Sequence, residues 1–321
     1  MALIPVAGEG GGSNCYLPGT RILTPTGEAF IENLRRGDSV VTRFGGIQRI
    51  KWIALQSYRG AAVSDNREFI PVHLRAGSLG ERLPARDLYI SPGHSMLIEG
   101  SLVLARSLVN GITITQNECP ERLDYLQIEL EGHDCVIAEG TWSETYADWE
   151  EGRQRFHNAA EFHALFPDYR APDDPVLCAP RPERGAALEV LLRPVVARAS
   201  KEVVAGPLNG YIECVRGDWK LDGWAYDSVH PELPVLLEIV LEGRVIGTVL
   251  ACDFRPDLLK AGFGQGRCSF TFISPIKLRP VLLATLQVRR AADGAPVPVS
   301  KSILGAALEP TLVRPRLSIA S

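Results

Sequence analysis

The segment Cys15-Tyr16-Leu17-Pro18-Gly19-Thr20-Arg21-Ile22-Leu23-Thr24-Pro25-Thr26-Gly27, continued by Ile31-Glu32-Asn33-Leu34-Arg35-Arg36-Gly37-Asp38-Ser39-Val40, decides how this chain is read. Within it, runs 21–24 and 29–34 flank Pro25-Thr26-Gly27-Glu28, which places Pro and Gly where a tight reversal wants them. The pattern predicts a β-hairpin shortly after a cysteine. Outward from it, β-branched and roughly alternating runs follow at 39–43, 48–55, 70–75, 88–90, 95–98, 102–105, 123–130 and 134–138. No helical periodicity longer than two turns competes, so residues 15 to about 140 read as an all-β domain of many short strands.

Beyond that domain, residues 141–163 turn charged and aromatic with loose helical spacing, and 167–182 hold five prolines and three aspartates, the composition of an exposed linker. A short helix is expected over 185–200, interrupted at Pro194 because proline removes a backbone donor and clashes with the preceding turn. Strand vocabulary returns from Gly210, at 211–215, 219–226, 235–241, 245–252, 268–273 and 282–289, with Glu242-Gly243 as a hairpin turn. About seven strands in roughly 100 residues suit a small β-sandwich. The 321 residues thus divide into a leader (1–14), a first β domain (15–146), a partly helical, Pro-rich linker (147–207) and a second β domain (208–321).

The composition is that of an ordinary globular protein: 45% hydrophobic, 22% charged, with a formal net charge of −4. Bulk charge gives no basis for nucleic-acid binding, and the longest predominantly apolar stretches, 234–240 and 281–286, are too short for a membrane span of roughly 20 residues. Residues 1–14 lack the positive start of a secretory signal and read as a flexible Gly-rich leader, so the cytoplasm is the default location, with export by a C-terminal signal left open. Seven cysteines at 15, 119, 135, 178, 214, 252 and 268, without a CxxC pair, argue against a disulfide framework and a zinc site. Cys135 and Cys268, inside strand patterns, fit small buried hydrophobes, whereas Cys15 follows a Gly/Ser/Asn-rich approach.

Three motifs in order now carry a family resemblance: the opening Cys15 segment, then Ile90-Ser91-Pro92-Gly93-His94-Ser95-Met96-Leu97, then Leu130-Glu131-Gly132-His133-Asp134-Cys135-Val136-Ile137-Ala138-Glu139-Gly140. Together, over residues 15–146, they resemble the Hint domain shared by hedgehog C-terminal regions and inteins, with Ser91 where the family usually has Thr. Residues 72–80, 84–88 and 105–111 are similar to a bacterial subgroup. The resemblance implies a horseshoe-like Hint β fold and self-processing at Asn14–Cys15, with no cofactor or metal and with the chain's own N-terminal segment as substrate.

The chemistry has its own rationale. A peptide bond is a poor electrophile with a poor leaving group, so converting it to a thioester needs a sulfur nucleophile, donors for the oxyanion and an acid for the departing nitrogen. Cys15 would attack the Asn14 carbonyl, and His94, with an ordinary pKa near 6.5, would protonate the Cys15 nitrogen. Ser91 would bond near the scissile carbonyl or orient the imidazole. His133 and Asp134 would polarise the site or activate a second nucleophile. Each residue also has a plain alternative: an inert thiol, a turn histidine, an extended serine before Pro92, and a strand-entry turn at 133–134.

Resolution of the thioester departs from both well-known relatives. Inteins close in His-Asn, where this chain has Glu144-Thr145, so splicing is not expected; His157-Asn158 lies too far downstream. No apolar region comparable to a sterol-recognition segment follows residue 146. Hydrolysis or transfer to an unidentified nucleophile is left. The competing expectation is a silent Hint scaffold, favoured by the brevity of the leader, whose C-terminal sandwich binds a protein or a glycan. Trp219 and Trp224 are the candidate sugar platform, with strand-core packing as their alternative.

Overall fold

Short β-branched runs bounded by Gly and Pro cannot bury a face alone, and in the computed structural model they pair antiparallel into sheets. The structure describes residues 14–59, 67–117, 122–149, 152–301 and 303. Residues 1–13 of the expected leader and Cys119 lie outside these. Met1–Val203 and Val204–Ser321 form two compact units.

In the first unit the expected hairpin pairs Arg21–Thr24 with Gly27–Phe30. It continues a sheet through Cys135–Ala138, Thr141–Glu144, Ser95–Ile98 and Ser101–Leu104, with Ser39–Thr42 and Gly46–Arg49 joined to Cys135–Ala138. The expected run 48–55 is two strands, Gly46–Arg49 and Trp52–Arg59, and the second pairs along its length with Arg122–Glu129. Val72–Leu74 lies between Ile114–Thr115 and Leu88–Ile90. The segment after Cys15 laces these pieces together. Tyr16 and Leu126 exchange backbone hydrogen bonds at 2.8 and 2.9 Å, and the Leu17 N–H donates to the Tyr89 carbonyl at 3.3 Å. Cys15 therefore enters the middle of the domain, fully buried beside Trp52, Leu123 and Tyr125.

Residues 141–144, expected to lie in a loosely helical stretch, form a strand. Glu139 and Gly140 both have positive φ (46° and 83°), the conformation of a two-residue turn whose twist matches paired strands. The stretch that follows packs on the first unit. Phe156 and Phe162 meet Trp52 edge-on at 5.8 and 5.3 Å, and Arg153, with Glu129 and Asp148, forms a buried ion cluster beside them. Asn158 accepts the Leu55 N–H and donates to the Ile53 carbonyl, both at 2.9 Å, so the His157-Asn158 pair ties this stretch to a strand edge.

The helix Gly185–Ala199 runs through Pro194 without interruption. Pro194 is exposed, as is Val190, whose carbonyl loses its amide partner on the solvent side. The lost bond and clash cost about 3 kcal/mol. Burial of Leu188, Leu191, Leu192 and Val195 returns roughly 1.5–3 kcal/mol each, which outweighs it.

The second unit is a β-sandwich. One sheet orders Leu208–Arg216, Lys220–Asp227, Arg267–Ile273 and Asp253–Phe254; the other orders Arg244–Ala251, Val235–Leu241, Gln287–Arg290 and Pro296–Val297. Ile212, Leu221 and Phe270 of the first meet Leu237, Ile239 and Val288 of the second in one core. Glu242-Gly243 forms the expected turn, and the expected run 282–289 splits into a helical turn, Pro280–Leu283, and a strand. The chain is thus all-β in class, a Hint-like unit followed by a sandwich, and no helix among the described residues is long and apolar enough to cross a membrane.

Candidate active site

The Asn14–Cys15 peptide is held by the loop between the strands Leu88–Ile90 and Ser95–Ile98. The Cys15 N–H donates to Ser91 Oγ at 2.8 Å, and the Ser91 N–H donates back to the Cys15 carbonyl at 2.9 Å. Pro92-Gly93 then turns the chain so that the His94 N–H reaches the Ser91 carbonyl at 3.0 Å. The His94 ring is fully buried, edge-on to Tyr16 with centroids 4.4 Å apart. Its Nε2 contacts Ser143 Oγ at 2.5 Å. Its Nδ1 has no partner at hydrogen-bond distance among the described residues, and the Asn14 backbone lies close enough to raise the ring's proton affinity. Burial nevertheless dominates and, with His133 nearby, holds His94 down to about 4 against the pull of the Glu144 carboxylate. At neutral pH the imidazole is uncharged.

Ser143 and Glu144, to which no sequence motif assigns a role, complete this network. Tyr16 Oη lies 2.9 Å from Ser143 Oγ and 3.2 Å from the Glu144 carbonyl oxygen. The Glu144 carboxylate is fully buried; its Oε1 accepts the Ser95 N–H at 2.8 Å and its Oε2 faces His133 Nε2 at 3.4 Å. Burial works against its charge, but His133, His94 and Arg181 together hold its carboxyl below the usual range. The signal for these residues is the Glu139-Gly140 dipeptide, equivalent to the Glu242-Gly243 turn. It implies a return strand whose residues reach the same sheet as Ser95–Ile98.

The sequence-predicted residues divide. Cys15, Ser91 and His94 converge on one peptide bond, and His133 joins them through Glu144. Asp134 does not reach it. Its carboxylate accepts the N–H groups of Phe44 and Gly45 at 3.0 and 2.8 Å and the Gln48 side-chain amide at 2.8 Å, shaping the turn between the strands Ser39–Thr42 and Gly46–Arg49. In the second unit, Trp219 stands 46% exposed in the turn before the strand that carries Trp224. Trp224 lies on the face away from the core, stacked on Phe263 at 4.8 Å and Tyr226 at 6.1 Å.

Cys15, the loop Ser91-Pro92-Gly93-His94 and an uncharged imidazole thus lie together at one peptide bond. Residues 14–150 match the Hint domain family, and this part of the chain is a Hint domain. Solved structures to which the chain is similar include a bacterial intein-like domain from Clostridium thermocellum (15% identity, 41% of this chain and 98% of that one, TM-score 0.30). The MchDnaB-1 intein (12%, 41% and 99%, 0.29) and the gp41-1 intein (14%, 42% and 99%, 0.30) are others. No curated protein matches the chain.

Proposed function

We propose that this chain cleaves or transfers its own N-terminal segment at Asn14–Cys15 through an N-to-S acyl shift, without splicing. The observation that supports it best is the paired hydrogen bonding of Ser91 and Cys15 at 2.8 and 2.9 Å, which grips Cys15 by both its backbone groups and holds the nitrogen of the Asn14–Cys15 peptide beside a buried histidine. Cys15 Sγ adds to the Asn14 carbonyl carbon, and the thiol proton it loses replaces on the His94 ring the one that the ring gives up in the next step. Where the Ser143 hydroxyl donates to His94 Nε2, the ring proton resides on Nδ1, the nitrogen left to face Asn14, and it polarises the carbonyl as negative charge develops there. The carbon–nitrogen bond then breaks as that proton passes to the Cys15 nitrogen, leaving Asn14 as a thioester on Cys15. Ser91, by accepting the N–H, fixes how this nitrogen is presented. Glu144-Thr145 in place of an intein's His-Asn supplies no asparagine to cyclise, which leaves hydrolysis or capture by another nucleophile.

The experiment is the intact mass of the purified full chain with and without added thiol. Thiol-accelerated loss of residues 1–14, abolished in Cys15→Ala and slowed about 10²–10⁴-fold in His94→Ala, is the expected result. Full-length protein under every condition would leave the Hint unit as a scaffold.

A further inference from the structure

Cys178 lies beyond the Hint match, in the Pro-rich segment whose composition reads as an exposed linker, yet three contacts dock that segment on the first unit. The Cys178 N–H donates to His133 Nδ1 at 2.9 Å, the Leu102 N–H donates to the Pro180 carbonyl at 2.8 Å, and the Arg181 guanidinium stands 3.8 Å from Glu144 Oε2. Thus held, Cys178 Sγ lies 3.9 Å from Cys135 Sγ. Cys135 is anchored in its turn. It sits opposite Glu144 at the start of the strand Cys135–Ala138, its N–H donates to Asp134 Oδ1 at 2.7 Å, and its carbonyl accepts the Arg43 N–H at 2.9 Å. A disulfide needs about 2.05 Å between sulfurs, so roughly 2 Å is left to close, a distance that side-chain rotation covers. The two sulfurs are also unlike. Cys135 is fully buried, whereas Cys178 is only partly covered. Hydrogen bonding from Cys135 first, and the nearness of His133, lower the Cys178 thiol against its burial, while the Cys135 thiol, which shares that hydrogen bond and is buried, is pushed up. The sulfur that can be reached is the one that ionises.

We propose that Cys135 and Cys178 are a disulfide-forming pair, closed by a small disulfide such as oxidised glutathione and reopened by a thiol, and that the bond clamps the segment around Cys178 to the hairpin that carries Ser143 and Glu144. The Cys178 thiolate attacks one sulfur of oxidised glutathione. The bond between the two glutathione sulfurs breaks, and the departing thiolate takes up from water the proton that Cys178 has given to it. Cys135 Sγ then attacks Cys178 Sγ, expels the second glutathione thiolate and passes its proton to it. The chain loses two hydrogens, and the small disulfide is reduced to two thiols. Nothing in this rests on the acyl shift, because neither sulfur acts on the Asn14–Cys15 peptide. The bond joins residues 43 apart, a closure that restricts the unfolded chain far more than a fold in which the two sulfurs already touch.

The test is a non-reducing peptide map of the full chain equilibrated with oxidised glutathione, read beside its thermal midpoint. The map should yield one peptide pair joined through Cys135 and Cys178, lighter by two hydrogens than the separate peptides, and dithiothreitol should separate them. The midpoint of the first unit should rise by roughly 5–10 °C on oxidation and fall back on reduction. Cys15→Ala should give the same cross-link, which keeps this result apart from that of the acyl shift. In Cys135→Ser, Cys178 should stop at the glutathione adduct. In Cys178→Ser, which alters only the partly covered member of the pair, Cys135 should stay unmodified. Absence of the joined peptides under oxidised glutathione, or cross-links that map to another pair instead, would overturn the proposal, and equal midpoints for the cross-linked and reduced chains would overturn the clamp.

Discussion

Ser91 holds the nitrogen of the Asn14–Cys15 peptide while His94 stands beside it uncharged, and the two side chains have separable consequences. Replacing Ser91 by Ala removes one buried hydrogen bond from the scissile N–H, which at 1–3 kcal/mol corresponds to about ten- to a hundred-fold slower release of residues 1–14. A time course by intact mass checks this, and an unchanged rate would remove Ser91 from the machinery. The two histidines also set opposite pH limits to stability. His94 titrates lower in the folded protein (about 4) than its ordinary 6.5, so its contribution is complete above 6.5 and is lost as pH falls toward 4. His133 titrates higher (about 9), so its contribution is complete below 6.5 and is lost as pH rises through 9. Thermal midpoints should show His94→Gln gaining relative to the unaltered chain only on the acid side and His133→Gln only on the alkaline side. Parallel curves would contradict both assignments. At this scale Cys15, Ser91 and His94 were legible because they sit within a few residues of strand ends. Cys178 was not, since proline-rich composition reports exposure of backbone and carries no signal for one side chain docked 43 residues from its partner Cys135.

The hairpin formed by Cys135–Ala138 and Thr141–Glu144 carries Ser143 and Glu144, the part of the network that no sequence motif marks. Its turn is anchored on three sides: Ala85 N–H donates to the Glu139 carbonyl at 2.7 Å, Arg21 N–H to Glu139 Oε1 at 2.7 Å, and Arg86 Nε to Glu139 Oε2 at 2.5 Å. Gly140 has no room for a side chain, because a Cβ there would come 2.7 Å from that of Ala85, at a φ of 83°. Gly140→Val should destabilise the unit by about 1–3 kcal/mol and displace Ser143 and Glu144 with the strand. Urea unfolding reads the first effect and the rate of N-terminal release the second; wild-type values in both would show that the turn does not position the site. Most strands of both units were visible as alternating runs, since half-buried sheets impose that period directly. Where the expectation failed, at the helix through Pro194, local propensity lost to a buried apolar face that only tertiary packing supplies.

For the whole molecule, the stretch after residue 150 belongs to the first unit's core as much as its strands do. Trp52 is almost fully buried with Phe156 and Phe162 packed edge-on against it, and both belong to the same cluster as Cys15. A chain ending at residue 150 should therefore lose about 3 kcal/mol or more relative to one ending at 203 and bind a hydrophobic dye; equal melting of the two would show the cover to be dispensable. The family match ends at residue 150, while the packed unit extends to Val203. The most direct test of self-processing is to trap the thioester. Incubation of the full chain with hydroxylamine should release residues 1–14 bearing a hydroxamate on the Asn14 carboxyl, and Cys15→Ala should release nothing. An unaltered full-length chain, or the same release from the Cys15 variant, would contradict the account.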